Sequence, residues 1–187
     1  VIAVRRARVA DAAAIGAVHV AAWRSAYAGI LPNDYLAGLS ARRQAAYYES
    51  AIRGGLGVHV GTASGTDAIP PGGPARVIGF VTGGHARQGG ATLGEGEIET
   101  LYVLDDWRDR GLGRRLVRAA AAHLVSLGCR SAFVWVLRDN PSRWFYERLG
   151  GRVAAEAPIQ VAGIPLMQTA YVWPSIEKLE QSASSAS

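Results

Sequence analysis

The sequence predicts one α/β domain of about six or seven strands and roughly four helices. Three observations predict it: two early stretches with helical spacing of apolar residues, alternating or continuously apolar runs between residues 57 and 137, and glycine-rich turns between them. A length of 187 residues suits a single domain. Hydrophobic residues at 49% against 19% charged supply material for one core and exclude a globally disordered chain.

The elements follow in order. Residues Ile2 to Arg8 read as a short strand, and Asp11 stands as an N-cap before a helix with Ile15, Val18, Ala22 and Ala26 on one face. Glycine and proline in Gly29–Tyr35 break that helix. Ser40 caps a second, running to Arg53 with Ala46 and Tyr47 toward the core. Val58 and Val60 mark a strand, the Gly/Pro-rich stretch Gly65–Pro74 a long hairpin loop, and Val77, Ile78, Phe80 and Val81 the returning strand. After a loop from His85 to Gly96, residues Glu97 to Val103 alternate, which sets Glu97, Glu99, Leu101 and Val103 on one face and Ile98, Thr100 and Tyr102 on the other.

A glycine loop then opens a helix in which Leu112, Leu116, Ala120 and Leu124 recur every fourth residue until Gly128. Ala132–Leu137 is continuously apolar, as a central strand is. Asp139 or Asn140 with Pro141 opens a short helix that ends at Gly150-Gly151, and strands follow near Val153–Val161 and Ile164–Trp173. The domain is expected to span residues 1–181, with 182–187, all Ser and Ala, as a disordered tail.

Of 20 basic side chains only Lys178 is a lysine, and the formal net charge is +5. Arginine binds phosphate in a bidentate fork, so the charge admits a phosphate-bearing small molecule as readily as a nucleic acid. Several arginines cluster at the glycine loop instead of spreading along a face with interleaved aromatics, which argues against a nucleic-acid partner. Cys129 is the one cysteine, and no Cys/His cluster has metal-binding spacing, so neither a disulfide nor a metal is expected. Residues 1–20 carry Arg5, Arg6, Arg8 and Asp11, and no run of uncharged apolar residues is long enough to span a bilayer; the expectation is a cytoplasmic chain with no membrane partner.

Two segments carry chemistry. In Arg108-Asp-Arg-Gly111-Leu-Gly113-Arg114-Arg115 a strand gives way through glycines to a helix N-terminus, where outward-pointing amides and the helix dipole favour an anion such as pyrophosphate. The segment has no Gly-Lys-Ser/Thr and no third glycine, so it is neither a P-loop nor a dinucleotide fingerprint. In Asn140-Pro-Ser-Arg-Trp-Phe-Tyr146-Glu-Arg-Leu-Gly150, Tyr146 offers a phenol with an ordinary pKa near 10, able to donate a proton at neutral pH.

Together these segments resemble the GNAT N-acetyltransferase superfamily. Leu101-Tyr-Val103 followed by Arg108-x-x-Gly111-x-Gly113 is similar to its acetyl-CoA motif, Asn140 with Phe145-Tyr146-Glu-x-Leu-Gly150 to its downstream motif, and Trp23-Arg-Ser-Ala-Tyr27-Ala-Gly29-Ile-Leu-Pro32 to its opening helices. The similarity runs from about Val4 to about Trp173. One departure is the spacing of six residues from Asn140 to Tyr146, where seven is commoner, with Pro141 in the gap.

The resemblance implies a mixed, mostly antiparallel sheet and an N-acetyltransferase using acetyl-CoA (coenzyme A). It assigns the pyrophosphate to Arg108, Arg110, Gly111, Leu112, Gly113 and Arg114, the pantetheine arm to the edge of Leu101, Tyr102 and Val103, and further coenzyme contacts to Asn140 and Tyr146. It implies direct attack by a primary amine of a small molecule or peptide, Tyr146 protonating the thiolate, and a carboxylate base acting through water, with Glu97 first and Glu99 second. Trp23, Tyr27 and Tyr35 would line the acceptor side, or serve as core. Pairing of the last strands would make a homodimer. A non-catalytic acyl-CoA-binding module on the same fold is the alternative, and it would need neither Tyr146 nor Glu97.

Overall fold

A seven-stranded sheet in the order β1-β2-β3-β4-β5-β7-β6 forms the centre of the computed structural model, which describes residues 1–87 and 89–185. Its strands are β1 (Ile2–Arg6), β2 (Gly57–Ala63), β3 (Arg76–His85), β4 (Gly96–Val103), β5 (Ala132–Leu137), β6 (Arg152–Val161) and β7 (Ile164–Trp173). The helices are α1 (Ala12–Ala26), α2 (Asn33–Ala37), α3 (Ala41–Arg53), α4 (Leu112–Ser126), α5 (Arg143–Arg148) and α6 (Ile176–Ser184). Every strand pair is antiparallel except β4 with β5.

One face of the sheet packs against α4, where Leu112, Leu116, Val117 and Leu124 meet Ile78, Val81 and Ile98. The other face meets α1 and α3 through Ile15, Val18, Tyr48, Val58, Val60 and Phe80. Gly16 lets these two helices touch backbone to backbone, since a Cβ there would stand 2.5 Å from the Ala41 carbonyl oxygen. Among the described residues no helix is long and apolar enough to cross a membrane.

Several expectations need correction. Three helices, not two, precede β2, because Asn33–Ala37 folds into one turn of helix after Pro32. Ser40 does cap α3, its hydroxyl accepting from the Arg43 amide at 3.1 Å. The buried face of α3 is nevertheless centred on Tyr48, while Ala46 and Tyr47 are exposed. Asp11 does not cap α1 with its side chain; its carboxylate accepts from the Arg8 amide at 2.7 Å and pairs with Arg5 at 2.8 Å. Ser182–Ser184, expected to be a disordered tail, complete α6, because Ile176, Leu179 and Ala183 recur at helical spacing and are buried against α4. Residues 186–187 of that tail lie outside the described residues.

The deviation that matters for function is in β4. Thr82 pairs with Thr100 while Gly83 pairs with Ile98, so Glu99 is the extra residue of a β-bulge. The bulge reverses the expected alternation beyond it: Leu101 and Val103 turn to the α4 core beside Ile98, and Tyr102 turns to the α1/α3 side. It also coincides with the end of β4–β5 pairing, which covers only Gly96, Glu97 and Ile98 against Ala132, Phe133 and Val134. Beyond Ile98 the two strands part.

Two histidines, one buried and one half-buried, are expected to make this fold acid-sensitive. His19 is 8% exposed, its Nδ1 is 2.7 Å from the Tyr48 hydroxyl, and its ring stacks on Trp23. Burial pulls its pKa down to about 4, and burial with Arg6 and His123 does the same for His59. Since an unfolded histidine titrates near 6.5, the neutral-state stabilisation is complete above about that value and is lost as pH falls toward 4. At about 1.4 kcal/mol per pKa unit, His19 alone accounts for up to about 3 kcal/mol. The urea midpoint is therefore expected to drop between pH 7 and pH 4.5, and less steeply in His19→Gln; parallel curves for the two proteins would refute the assignment to His19.

Candidate active site

The gap between the parting strands is a cleft of about 590 Å³. Leu101, Tyr102 and Val103 form one wall, and α1 contributes Ala22, Ser25 and Ala26. Asn140, Ser142, Phe145 and Arg148 line it from the segment after β5. The backbone of residues 100–103 is paired with β3 on one side and, with the bulged Glu99, has no strand on the other among the described residues. That exposed edge is a row of amides and carbonyls able to pair with an extended, amide-containing ligand.

At the end of β4 the chain enters the glycine loop. Trp107 is buried as its anchor, and Asp109 and Gly111 take left-handed backbone angles, φ 58° and 80°. A side chain at Gly111 would meet nothing within 4 Å, so conformation and not space selects glycine here. The first bond of α4 runs from the Arg115 amide to the Gly111 carbonyl, and the amides of Leu112, Gly113 and Arg114 have no carbonyl within the helix to reach. Arg108, Gly111, Gly113 and Arg114 line the cleft. Arg108 pairs with Asp105 at 3.1 Å. Three expected side-chain contacts are engaged elsewhere: Arg110 lies over the Trp107 ring at 4.9 Å, the Arg114 guanidinium donates to the Ser185 carbonyl, and the Leu112 side chain is buried in the core, leaving only its amide available.

Tyr146 is 3% exposed and packs among Phe145, Tyr171 and Trp173. Its neighbours Phe145 and Leu149 face the cleft. Burial, with a smaller push from Tyr27, raises its pKa well above the ordinary phenol value. Asn140 turns its side chain two ways: Oδ1 accepts from the Ser142 amide at 2.9 Å and Nδ2 donates to the Tyr27 hydroxyl at 3.3 Å. The six-residue spacing with Pro141 is thus accommodated by a tight turn before α5. Burial raises the Tyr27 phenol as well, with Asn140 opposing it.

The two glutamates differ sharply. Glu97 lies where β4 still pairs with β5 and is 2% exposed. Both its oxygens are taken by Arg87, Nη2 to Oε2 at 2.6 Å and Nε to Oε1 at 3.1 Å, and the Arg87 amide adds a bond of 3.2 Å. Glu99, at the bulge, has a single oxygen 3.2 Å from Arg87 Nε. Burial raises the Glu99 pKa, Arg87 opposes this, and Glu97 adds to it. Glu99 also faces a second cavity of about 520 Å³, bounded by Tyr47, Ser50, Leu56, His85 and His123.

Trp23, Tyr27 and Tyr35 gather in a separate apolar cluster with Leu31, Leu36 and Leu137, and none of the three lines either cavity. Sequence reasoning missed Ser25, which lines the cleft and whose hydroxyl bonds Asp105, along with Ser142, Phe145 and Arg148. Phe145 and Arg148 sit inside the quoted motif and were within its reach; Arg87 acts across a loop and has no local signal. Among the described residues no cluster of His, Cys, Asp and Glu could hold a metal ion.

Comparison with known proteins identifies relatives of this chain and of its fold. The model of a family described as FR47-like protein matches residues 78–158, which spans β3 through most of β6 and so includes the glycine loop. The uncharacterized N-acetyltransferase YuaI of Bacillus subtilis (strain 168) is 31% identical over 179 residues, covering 96% of each chain. Among solved structures, yncA of Salmonella typhimurium, an acetyltransferase with its cofactor acetyl-CoA, superposes with a TM-score of 0.66 at 22% identity, covering 92% of this chain and 93% of that one. The paia N-acetyltransferase of Thermoplasma acidophilum, in complex with coenzyme A, superposes with a TM-score of 0.64 at 17% identity over 90% and 98%.

Proposed function

The chain belongs to the GNAT N-acetyltransferases, and from that membership we propose how its own residues carry out acetyl transfer from acetyl-CoA to a primary amine. The observation that carries the reading is the parting of β4 from β5 beyond Ile98, directly beside the N-terminus of α4. The amides of Leu112, Gly113 and Arg114 bind the pyrophosphate, with Arg108 and Arg114 supplying charge. The pantetheine amides pair with the free edge of residues 99–103, and a backbone amide there polarises the thioester carbonyl.

The amine nitrogen attacks the carbonyl carbon, an N–C bond forms and the C–S bond breaks. The proton leaving nitrogen goes to Glu99 through water, since Glu99 has an uncommitted oxygen and a cavity in front of it whereas Glu97 is fully engaged. The acceptor reaches Glu99 through that second cavity. Tyr146 donates a hydrogen bond to the departing sulfur. A thiol titrates near 8.5, below a buried phenol, so Tyr146 stabilises developing thiolate charge more than it surrenders its proton.

Calorimetric titration with acetyl-CoA tests the shared premise without an acceptor. One saturable site per chain is expected for acetyl-CoA and for desulfo-CoA, with weaker binding of ATP, which lacks the pantetheine arm. Absence of saturation by acetyl-CoA at low salt would reduce the glycine loop to a turn.

A further inference from the structure

Glu97 and Arg87 are more than a surface ion pair. Arg87 belongs to the loop between β3 and β4, and three bonds join it to Glu97. The Glu97 side chain is almost wholly buried, so this pair anchors the loop against β4. The same guanidinium then reaches Glu99, placing one cation between two carboxylates. Because Glu99 is the bulged residue, its backbone alone does not hold it in a regular ladder. Arg87 is the fixed cation against which its carboxylate rests.

We propose that Arg87 and Glu97 are positioning residues for acetyl transfer: Glu97 pins Arg87, and Arg87 holds the Glu99 carboxylate toward the second cavity. The inference rests on Glu99 being the base. Glu97 has an electrostatic consequence too, since it offsets the Arg87 charge that would otherwise fall wholly on Glu99. The remaining groups facing Glu99 are Tyr47 and Tyr48 from α3, His85 from β3 and His123 from α4. No second cation is as close among the described residues, so on top of the burial that raises Glu99 the balance of charge there is set by Arg87 against Glu97.

The test follows the Glu99 carboxyl by carbon NMR in protein labelled at glutamate Cδ, with the resonance assigned by its loss in Glu99→Gln. Glu97→Gln should lower the Glu99 midpoint, because Arg87 then answers to one carboxylate. Arg87→Met should raise it, and Arg87→Lys, which keeps the charge without the fork, should fall between Met and wild type. Shifts of the same sign in Glu97→Gln and Arg87→Met, or none in either, would overturn the proposal. Should Arg87→Met fail to fold, the isosteric Glu97→Gln still decides it by the sign of its shift. Opposite shifts together with full acetyl transfer by Glu99→Gln would keep the electrostatic device and remove the base, which separates the two failures.

Discussion

Gly111→Asp is expected to abolish acetyl-CoA binding at concentrations that saturate the wild type, while Gly111→Asn retains most of it. Both replacements meet the same backbone demand, because asparagine and aspartate tolerate the left-handed φ of 80° better than other side chains do. Both also have room, with nothing within 4 Å of the new Cβ. What differs is one negative charge at the start of α4. At about 5 Å and an effective dielectric constant of about 20, two unit charges repel by roughly 3 kcal/mol, which corresponds to about a 100-fold rise in Kd. Calorimetry on the two variants reads this directly. Equal losses in Asp and Asn would mean that loop conformation, and not anion binding at the helix N-terminus, sets affinity. Thermal melts of both proteins near the wild-type value would show that the loss is local.

The order of elements was legible because it depends on local signals. Apolar spacing located α1 and α4, the Ser40 cap located α3, and the uninterrupted apolar run located β5, the strand that the site requires. The glycine loop was legible for the same reason, since left-handed backbone angles favour glycine, as at Gly111, even though Asp109 takes one too. The bulge at Glu99 was not. An alternating Glu-x-Glu-x-Leu-x-Val pattern reads as one continuous face, and only the register of β3 shows that an extra residue reverses it. The Arg87 contact was equally hidden, being a tertiary pairing with no spacing rule. Trp23, Tyr27 and Tyr35 were left open by the sequence between acceptor lining and core, and in the fold they meet each other in an apolar cluster. Tyr146 falls between these cases: its motif identified the position, but its burial follows only from the packing of Tyr171 and Trp173 around it.

Glu99→Gln is expected to lower kcat/KM about 100-fold or more at neutral pH, with acetyl-CoA affinity unchanged, on any primary amine that the wild-type enzyme acetylates in a thiol-release panel. The substitution keeps the volume of the side chain and its contact with Arg87 and removes the proton acceptor. The pH dependence separates a base from a merely structural group. A primary amine titrates near 10.4, so at neutral pH nearly all of it is protonated and must lose a proton to attack. As pH rises toward that value the free amine becomes abundant, and the deficit of Glu99→Gln relative to wild type should narrow. The wild-type profile should fall on the acid side as Glu99 gains its proton, at a midpoint above the ordinary carboxylate range because burial raises it, and this limb should vanish in Glu99→Gln. A deficit that stays constant from neutral pH upward would assign Glu99 to positioning alone. A large loss in Glu97→Gln with none in Glu99→Gln would return the base to Glu97, against the full engagement of its oxygens by Arg87.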